Sequence, residues 1–158
     1  LNNDSISCIR SGDLFSNESH DLIKNADLVI FASAWRKWEV NYIQQSYENL
    51  IKVYGSKFLF WGNKDLDFPS VKKLYETGQF KINTTYPKRL KTSQINDDIK
   101  VQLGEFFIDP YKFFCRNKKC SVVNNEGDLI IYDGFHLTIK GAMFFGEKLS
   151  REYDFIFF

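Results

Sequence analysis

Apolar residues along this chain gather into short continuous runs, separated by one long stretch of helical spacing. The run DLVIFASAW (27–35) is bounded by Asp27 and by the small residues Ala32, Ser33 and Ala34. Its length and β-branched content predict a strand buried on both faces and ending near Ser33. Residues 20–26 ahead of it read as a short helical segment. In RKWEVNYIQQSYENLIKVYG, Trp38, Tyr42, Tyr47, Leu50 and Ile51 recur at helical intervals, and the pattern stops at Gly55, a residue suited to a helix C-cap. KFLFWG (57–62) then reads as a second buried strand.

Strand, helix, strand with short links is the rhythm of a parallel βαβ unit, so the expected class is α/β. Ligands of such sheets sit outside the carboxyl ends of the strands, here Ser33 to Trp35 and Gly62 to Asp65. The polar middle of the chain predicts a short helix after Pro69 and another over 96–103. A third strand is expected to begin near Glu105, ahead of the turn signal Asp109-Pro110. CSVVNNEGDLIIYDG reads as a hairpin turning at NNEG. Thr138 is placed as the N-cap of a last helix in which Leu149 packs inward. Residues 1–19 are polar and lack a sustained period, and read as loop or as the remnant of a truncated N-terminal part; residues 20–158 read as the folded domain.

At 158 residues the chain is long enough for one domain with one core. Lys and Arg number 21 against 20 Asp and Glu, a net charge of +1, which supplies no broad cationic field for nucleic acid. The apolar runs are far shorter than the ~20 residues of a membrane-spanning helix, and no signal peptide opens the chain. It starts at Leu1 rather than Met, which suggests a processed product or a piece of something longer. Aromatic residues make up 17%, so the core is expected to be rich in rings. With three Cys and two His, a four-ligand zinc site lacks a second pair of ligands, and no glycine-rich phosphate loop is present; no metal or cofactor is expected. Cys115 and Cys120 are close enough for a local disulfide across a hairpin-like loop or for two free thiols, with Cys8 left over.

His20 lies among polar residues and reads as a surface position. His136, in YDGFHLT, stands just ahead of the capped helix with Asp133 three residues earlier. A carboxylate that accepts a hydrogen bond from one imidazole nitrogen fixes the tautomer and frees the other nitrogen as a general base toward a hydroxyl. A surface Asp and a loop His would give the same spacing.

The flanks carry more information. LIIYDGFHLTIKGAMFFGEKL resembles the last block of SGNH hydrolases, and more narrowly that of the SGNH domains fused to membrane O-acetyltransferases of the acyltransferase-three family. Cys115, Cys120, Tyr132, Asp133, His136, Leu137, Thr138, Gly141 and Ala142 match that block in order, and ADLVIFASAWRKW is similar to a strand of the same domains. The resemblance implies a flavodoxin-like three-layer α/β/α sandwich. It further implies acetyl transfer from a donor to a glycan acceptor of the cell envelope, such as O-antigen or capsule, in an extracytoplasmic domain partnered with a membrane acyltransferase domain. His136 would be the base and Asp133 its orienting acid. Ser33, Trp35 and Asn63, at the strand ends, would be substrate or oxyanion contacts.

Two features depart from the family pattern. No Gly-Asp-Ser turn is present: Ser5 follows no apolar strand, and Gly12-Asp13 is followed by Leu14. The expectation is that the serine and the first βα unit lie upstream of Leu1. The strand end that should carry oxyanion donors reads Ser33-Ala34-Trp35, leaving Gly62-Asn63 at the next strand end as the alternative. An acetyl esterase, or a domain that binds glycan without catalysis, remains the competing reading.

Overall fold

The computed structural model describes residues 17–55, 57–79, 81 and 84–153. Cys8, Ser5 and the Gly12-Asp13 pair lie outside them. Helix α1 (Asn17–Asn25) takes in the last three residues of the opening that read as loop. There follow β1 (Val29–Ala32), α2 (Lys37–Tyr54), β2 (Phe58–Trp61), α3 (Val71–Glu76), β3 (Thr85–Pro87) and α4 (Leu90–Leu103). After a 3-10 turn come β4 (Phe107–Ile108), α5 (Tyr111–Phe114), β5 (Cys115–Arg116), β6 (Lys119–Ser121) and α6 (Ile139–Glu152).

Strands β1, β2 and β4 form a parallel sheet in that order, with Val29 opposite Phe58 and Phe60 opposite Phe107. The central strand β2 is an aromatic run whose alternate residues serve two layers. Phe58 and Phe60 pack with Val40, Ile43 and Tyr47 of α2 and with Ile95, Ile99 and Leu103 of α4. Leu59 packs on the other face with Ile108 and with Leu149 of α6. The architecture is therefore an α/β/α sandwich. Each such fully buried ring or aliphatic side chain stabilises it by about 1.5–3 kcal/mol.

Three expectations are corrected. Strand β1 is not buried on both faces: its residues alternate, and Ile30 is 38% exposed. It is an edge of the sheet among the described residues. The helical period of α2 holds, but Trp38 and Tyr42, each 59% exposed, point outward; the buried stripe is Val40, Ile43 and Tyr47. Helix α4 begins at Leu90, six residues before the expected start.

The sequence patterning missed a second, antiparallel sheet, ordered β3-β6-β5, which packs with α6 over its own core. Cys115 and Cys120 are opposite each other in it and joined by a disulfide. At NNEG the chain turns as expected, with Val123 bridged to Leu129.

Candidate active site

The loop after β2 and the loop before α6 are held edge to edge. The N–H of Leu66 donates to the carbonyl of Gly134 and that of Val71 to the carbonyl of Tyr132, both at 2.7 Å. Gly134 sits at φ 93, and a Cβ there would lie 3.2 Å from the Leu66 oxygen, so the close approach and the left-handed backbone both call for glycine. Residues 131–137 close on themselves through an Ile131–Leu137 bridge and a bond from Tyr132 N–H to the His136 carbonyl. Thr138 then caps α6, its hydroxyl accepting from Gly141 N–H at 2.9 Å. The helix lies so near the preceding strand-like segment that a Cβ on Gly141 would be 2.0 Å from the Ile130 oxygen.

This turn places the imidazole and carboxylate together. His136 Nδ1 is 2.6 Å from Asp133 Oδ2, while Asp133 Oδ1 accepts the backbone N–H of His136 at 2.8 Å and of Phe135 at 3.3 Å. Burial pushes the Asp133 carboxyl upward, but the His136 ring and these two amides outweigh it and hold it below its ordinary value. An ionised carboxylate only accepts, so Nδ1 carries the proton, and in the neutral ring Nε2 keeps its lone pair. No hydrogen bond among the described residues involves Nε2. Tyr132 stacks on the imidazole at 5.8 Å and 19°, and Phe135 lies 4.4 Å away on a tilt, so the ring is held by packing as well as by Asp133.

His136 faces a cavity of about 650 Å³ at the carboxyl ends of β1 and β2. Ile30, Ala32 and Ser33 form one wall, Phe145 and Leu149 of α6 another, and Asn63 to Asp65 the rim. The exposed face of β1, with Ile30 and Ala32, is therefore the first of these walls. Burial lowers the Lys64 ammonium below its ordinary value, opposed by the carboxylates of Asp65 and Asp133. Burial likewise raises Asp65, against the charges of Arg89 and Lys64.

The residues expected at the strand ends are distributed unequally. Ser33 lines the cavity, though no hydrogen bond joins it to His136. Asn63 also lines it but is only 4% exposed: its side-chain amide donates to the Trp35 carbonyl at 3.2 Å, and its backbone N–H donates to Asn96 Oδ1 at 2.8 Å. Trp35 is not part of the cavity wall. Its indole N–H donates to the Trp61 carbonyl at 2.7 Å and its ring packs near Phe60, so it ties the ends of β1 and β2 together. Of the other tryptophans, Trp61 lines the cavity and Trp38 is exposed. His20 is exposed, beside the Tyr54 hydroxyl.

The residue that sequence reasoning missed is Asn96. It is 2% exposed, and its amide pairs with both backbone groups of Asn63, donating to the carbonyl at 2.8 Å, and reaches Asp109 Oδ1 at 3.2 Å. The signal was present: Asn96, Ile99 and Leu103 share the buried stripe of α4, and a polar residue on such a stripe has a partner to satisfy. Among the described residues no group of three or more His, Cys, Asp or Glu could hold a metal ion.

A chain with this sheet and this paired acid and imidazole has the layout of an SGNH-type α/β/α domain. The family model for the SGNH domain fused to AT3 domains matches residues 8–151, and the chain belongs to that family. Among solved structures it is similar to the periplasmic domain of the lipopolysaccharide acetyltransferase of Salmonella ser. Paratyphi A, with a TM-score of 0.66 at 16% identity. The similarity covers 87% of this chain and 61% of the solved domain, so this chain spans less than two thirds of that domain's length. No curated protein matches the sequence significantly. Among the described residues no helix is long and apolar enough to cross a membrane.

Proposed function

We propose that this domain serves an O-acyltransferase that acetylates hydroxyls of a cell-envelope polysaccharide, O-antigen, capsule or similar, through an acyl-enzyme on a serine. Its setting is extracytoplasmic, beside a membrane acyltransferase domain of the AT3 type. The observation that carries the reading is the 2.6 Å contact between His136 Nδ1 and Asp133, with Nε2 free at the mouth of a strand-end cavity. Membership of the SGNH family supports it, as does the likeness in fold to an acetyltransferase periplasmic domain.

In the first half-reaction Nε2 takes the proton of the serine hydroxyl as its oxygen attacks the acetyl carbonyl. The bond to the donor's leaving group breaks, and that group collects the proton. In the second half the sugar hydroxyl gives its proton to Nε2 and attacks the acyl-serine; the serine oxygen leaves and is reprotonated. Asp133 keeps the ring in the tautomer both steps need. With water in place of the sugar the same steps make an esterase. The apolar cavity at the strand ends supplies the space in which the acetyl group is shielded from water.

The test uses the protein in its natural reading frame, including any residues that precede Leu1. Acetate release from an aryl acetate and acetyl transfer to envelope polysaccharide are measured for the parent and for His136→Ala. A general base contributes about 10²–10⁴-fold, and a loss of that order is expected in both assays. Equal rates in parent and variant would leave a domain that binds glycan without catalysis.

A further inference from the structure

Across α6 from the His136 cavity lies a groove of about 840 Å³ that shares no lining residue with it. The helix separates them: Phe145 and Leu149 face the cavity, while Phe144 and Lys148 line the groove. The groove is strongly cationic. Of its charged residues, Lys112 is paired with Glu152 at 2.7 Å, whereas Arg116, Lys119 and Lys148 have no carboxylate within ion-pair distance among the described residues. Three uncompensated cations thus sit in one depression of a chain whose net charge is +1.

The opposite bank is the β5–β6 hairpin. Its two turn residues, Asn117 and Lys118, both lie in the left-handed region, at φ 50 and 65. Positive φ at both residues is the two-residue hairpin turn whose twist matches that of the flanking strands. The Cys115–Cys120 disulfide ties the hairpin's ends, so Arg116 and Lys119 are presented on a preorganised prong, which lowers the ordering cost of binding. Asn117, Asn124 and Asn125 contribute amides to the same groove.

We propose that this groove is a second binding site, for an acidic oligosaccharide carrying carboxylates. An arginine fork matches a carboxylate in two parallel hydrogen bonds, and lysines serve as point charges for its neighbours. Amides that both donate and accept suit sugar hydroxyls. The concave shape takes a chain a few sugar units long. A duplex nucleic acid would need a more extended cationic field than three residues supply. The groove would hold an acidic polysaccharide while a neighbouring stretch of it reaches His136. The choice of a glycan rests on the envelope-polysaccharide reading above; the charge of the groove does not.

The experiment is a titration of the full chain, followed by amide NMR, with tetragalacturonate and, in parallel, with neutral maltotetraose. Saturable shifts at Arg116, Asn117, Lys119 and Lys148, with a Kd below about 1 mM, are expected for the acidic probe only. The variant Arg116→Glu/Lys119→Glu/Lys148→Glu, checked for an unchanged fold by circular dichroism, is expected to weaken binding at least about tenfold. His136→Ala is expected to bind like the parent. Equal binding of the neutral probe, no binding of either, or no loss in the charge-reversed variant overturns the proposal. Binding to phosphatidylglycerol vesicles without binding to tetragalacturonate overturns it in favour of a lipid surface. Binding without acyl transfer sinks only the proposed function, and transfer without binding sinks only the groove.

Discussion

Replacing Asn96 by leucine isolates the interaction that fixes the rim of the cavity. In the native fold the Asn96 amide satisfies both the N–H and the carbonyl of Asn63, a residue only 4% exposed, and also reaches Asp109. Leucine has nearly the same length, so packing changes little, but both backbone groups of Asn63 lose their partner where water has poor access. A buried polar group left unsatisfied costs about 1–3 kcal/mol, so two cost about 2–6 kcal/mol, and the extra apolar burial of leucine returns about 1–2 kcal/mol. The net expectation is a loss of about 1–4 kcal/mol, centred on ~2.5 kcal/mol. Urea unfolding followed by tryptophan fluorescence measures it: with a slope of about 1–3 kcal/mol per molar, the midpoint drops by about 1–2 M at unchanged slope. Hydrogen exchange at the Asn63 amide should accelerate in the same variant. A loss below about 1 kcal/mol, or an Asn63 amide still fully protected, would refute the claim that this side chain holds the rim.

Gly141→Ala should destabilise by about 3 kcal/mol or more, because its Cβ would stand 2.0 Å from the Ile130 oxygen and push α6 off the neighbouring segment. Gly146→Ala, on the same helix with nothing within 4 Å of its Cβ, should instead stabilise by about 0.5–1 kcal/mol; thermal unfolding of the pair checks both signs. Asp133 makes stability depend on pH in the acid range. Its folded carboxyl titrates below the ordinary value, so between the two values the unfolded chain binds more protons and stability rises with pH. That contribution is present above the ordinary carboxylate range and is lost as pH falls through the folded value. Asp133→Asn should flatten this part of the stability profile, and chemical unfolding at several pH values between 2 and 6 would show an unchanged slope if the reasoning fails.

Parts of the fold were legible because local pattern and tertiary role agree in them. The runs around Val29 and Phe58 are strands in the structure because a short aromatic and β-branched run has few other ways to bury itself. Gly55 and Thr138 end and begin helices by their own backbone and side-chain chemistry. Periodicity places Trp38 and Tyr42 on a helix but cannot say which stripe faces the sheet; Val40, Ile43 and Tyr47 won that face. The early start of helix α4 was hidden because Arg89 provides no side-chain cap and the first turn, Leu90 to Ser93, carries no apolar period. The small antiparallel sheet was illegible for a different reason: its strands are two or three residues long, and their pairing is set by a disulfide and by contacts across 30 residues of sequence. The placing of Asp133 beside His136 was legible because one loop carries both groups. The role of Asn96 was hidden because the groups it satisfies belong to the backbone of a distant loop.

General-base catalysis here depends on His136 presenting an unprotonated Nε2, with Nδ1–H given to Asp133. Nitrogen-15 NMR of the histidine rings in the neutral form, at alkaline pH, reads this directly. A protonated, hydrogen-bonded Nδ1 and a bare Nε2 are expected for His136, with the opposite tautomer appearing in Asp133→Asn. A native His136 protonated on Nε2, or unchanged by Asp133→Asn, would contradict the role given to this pair.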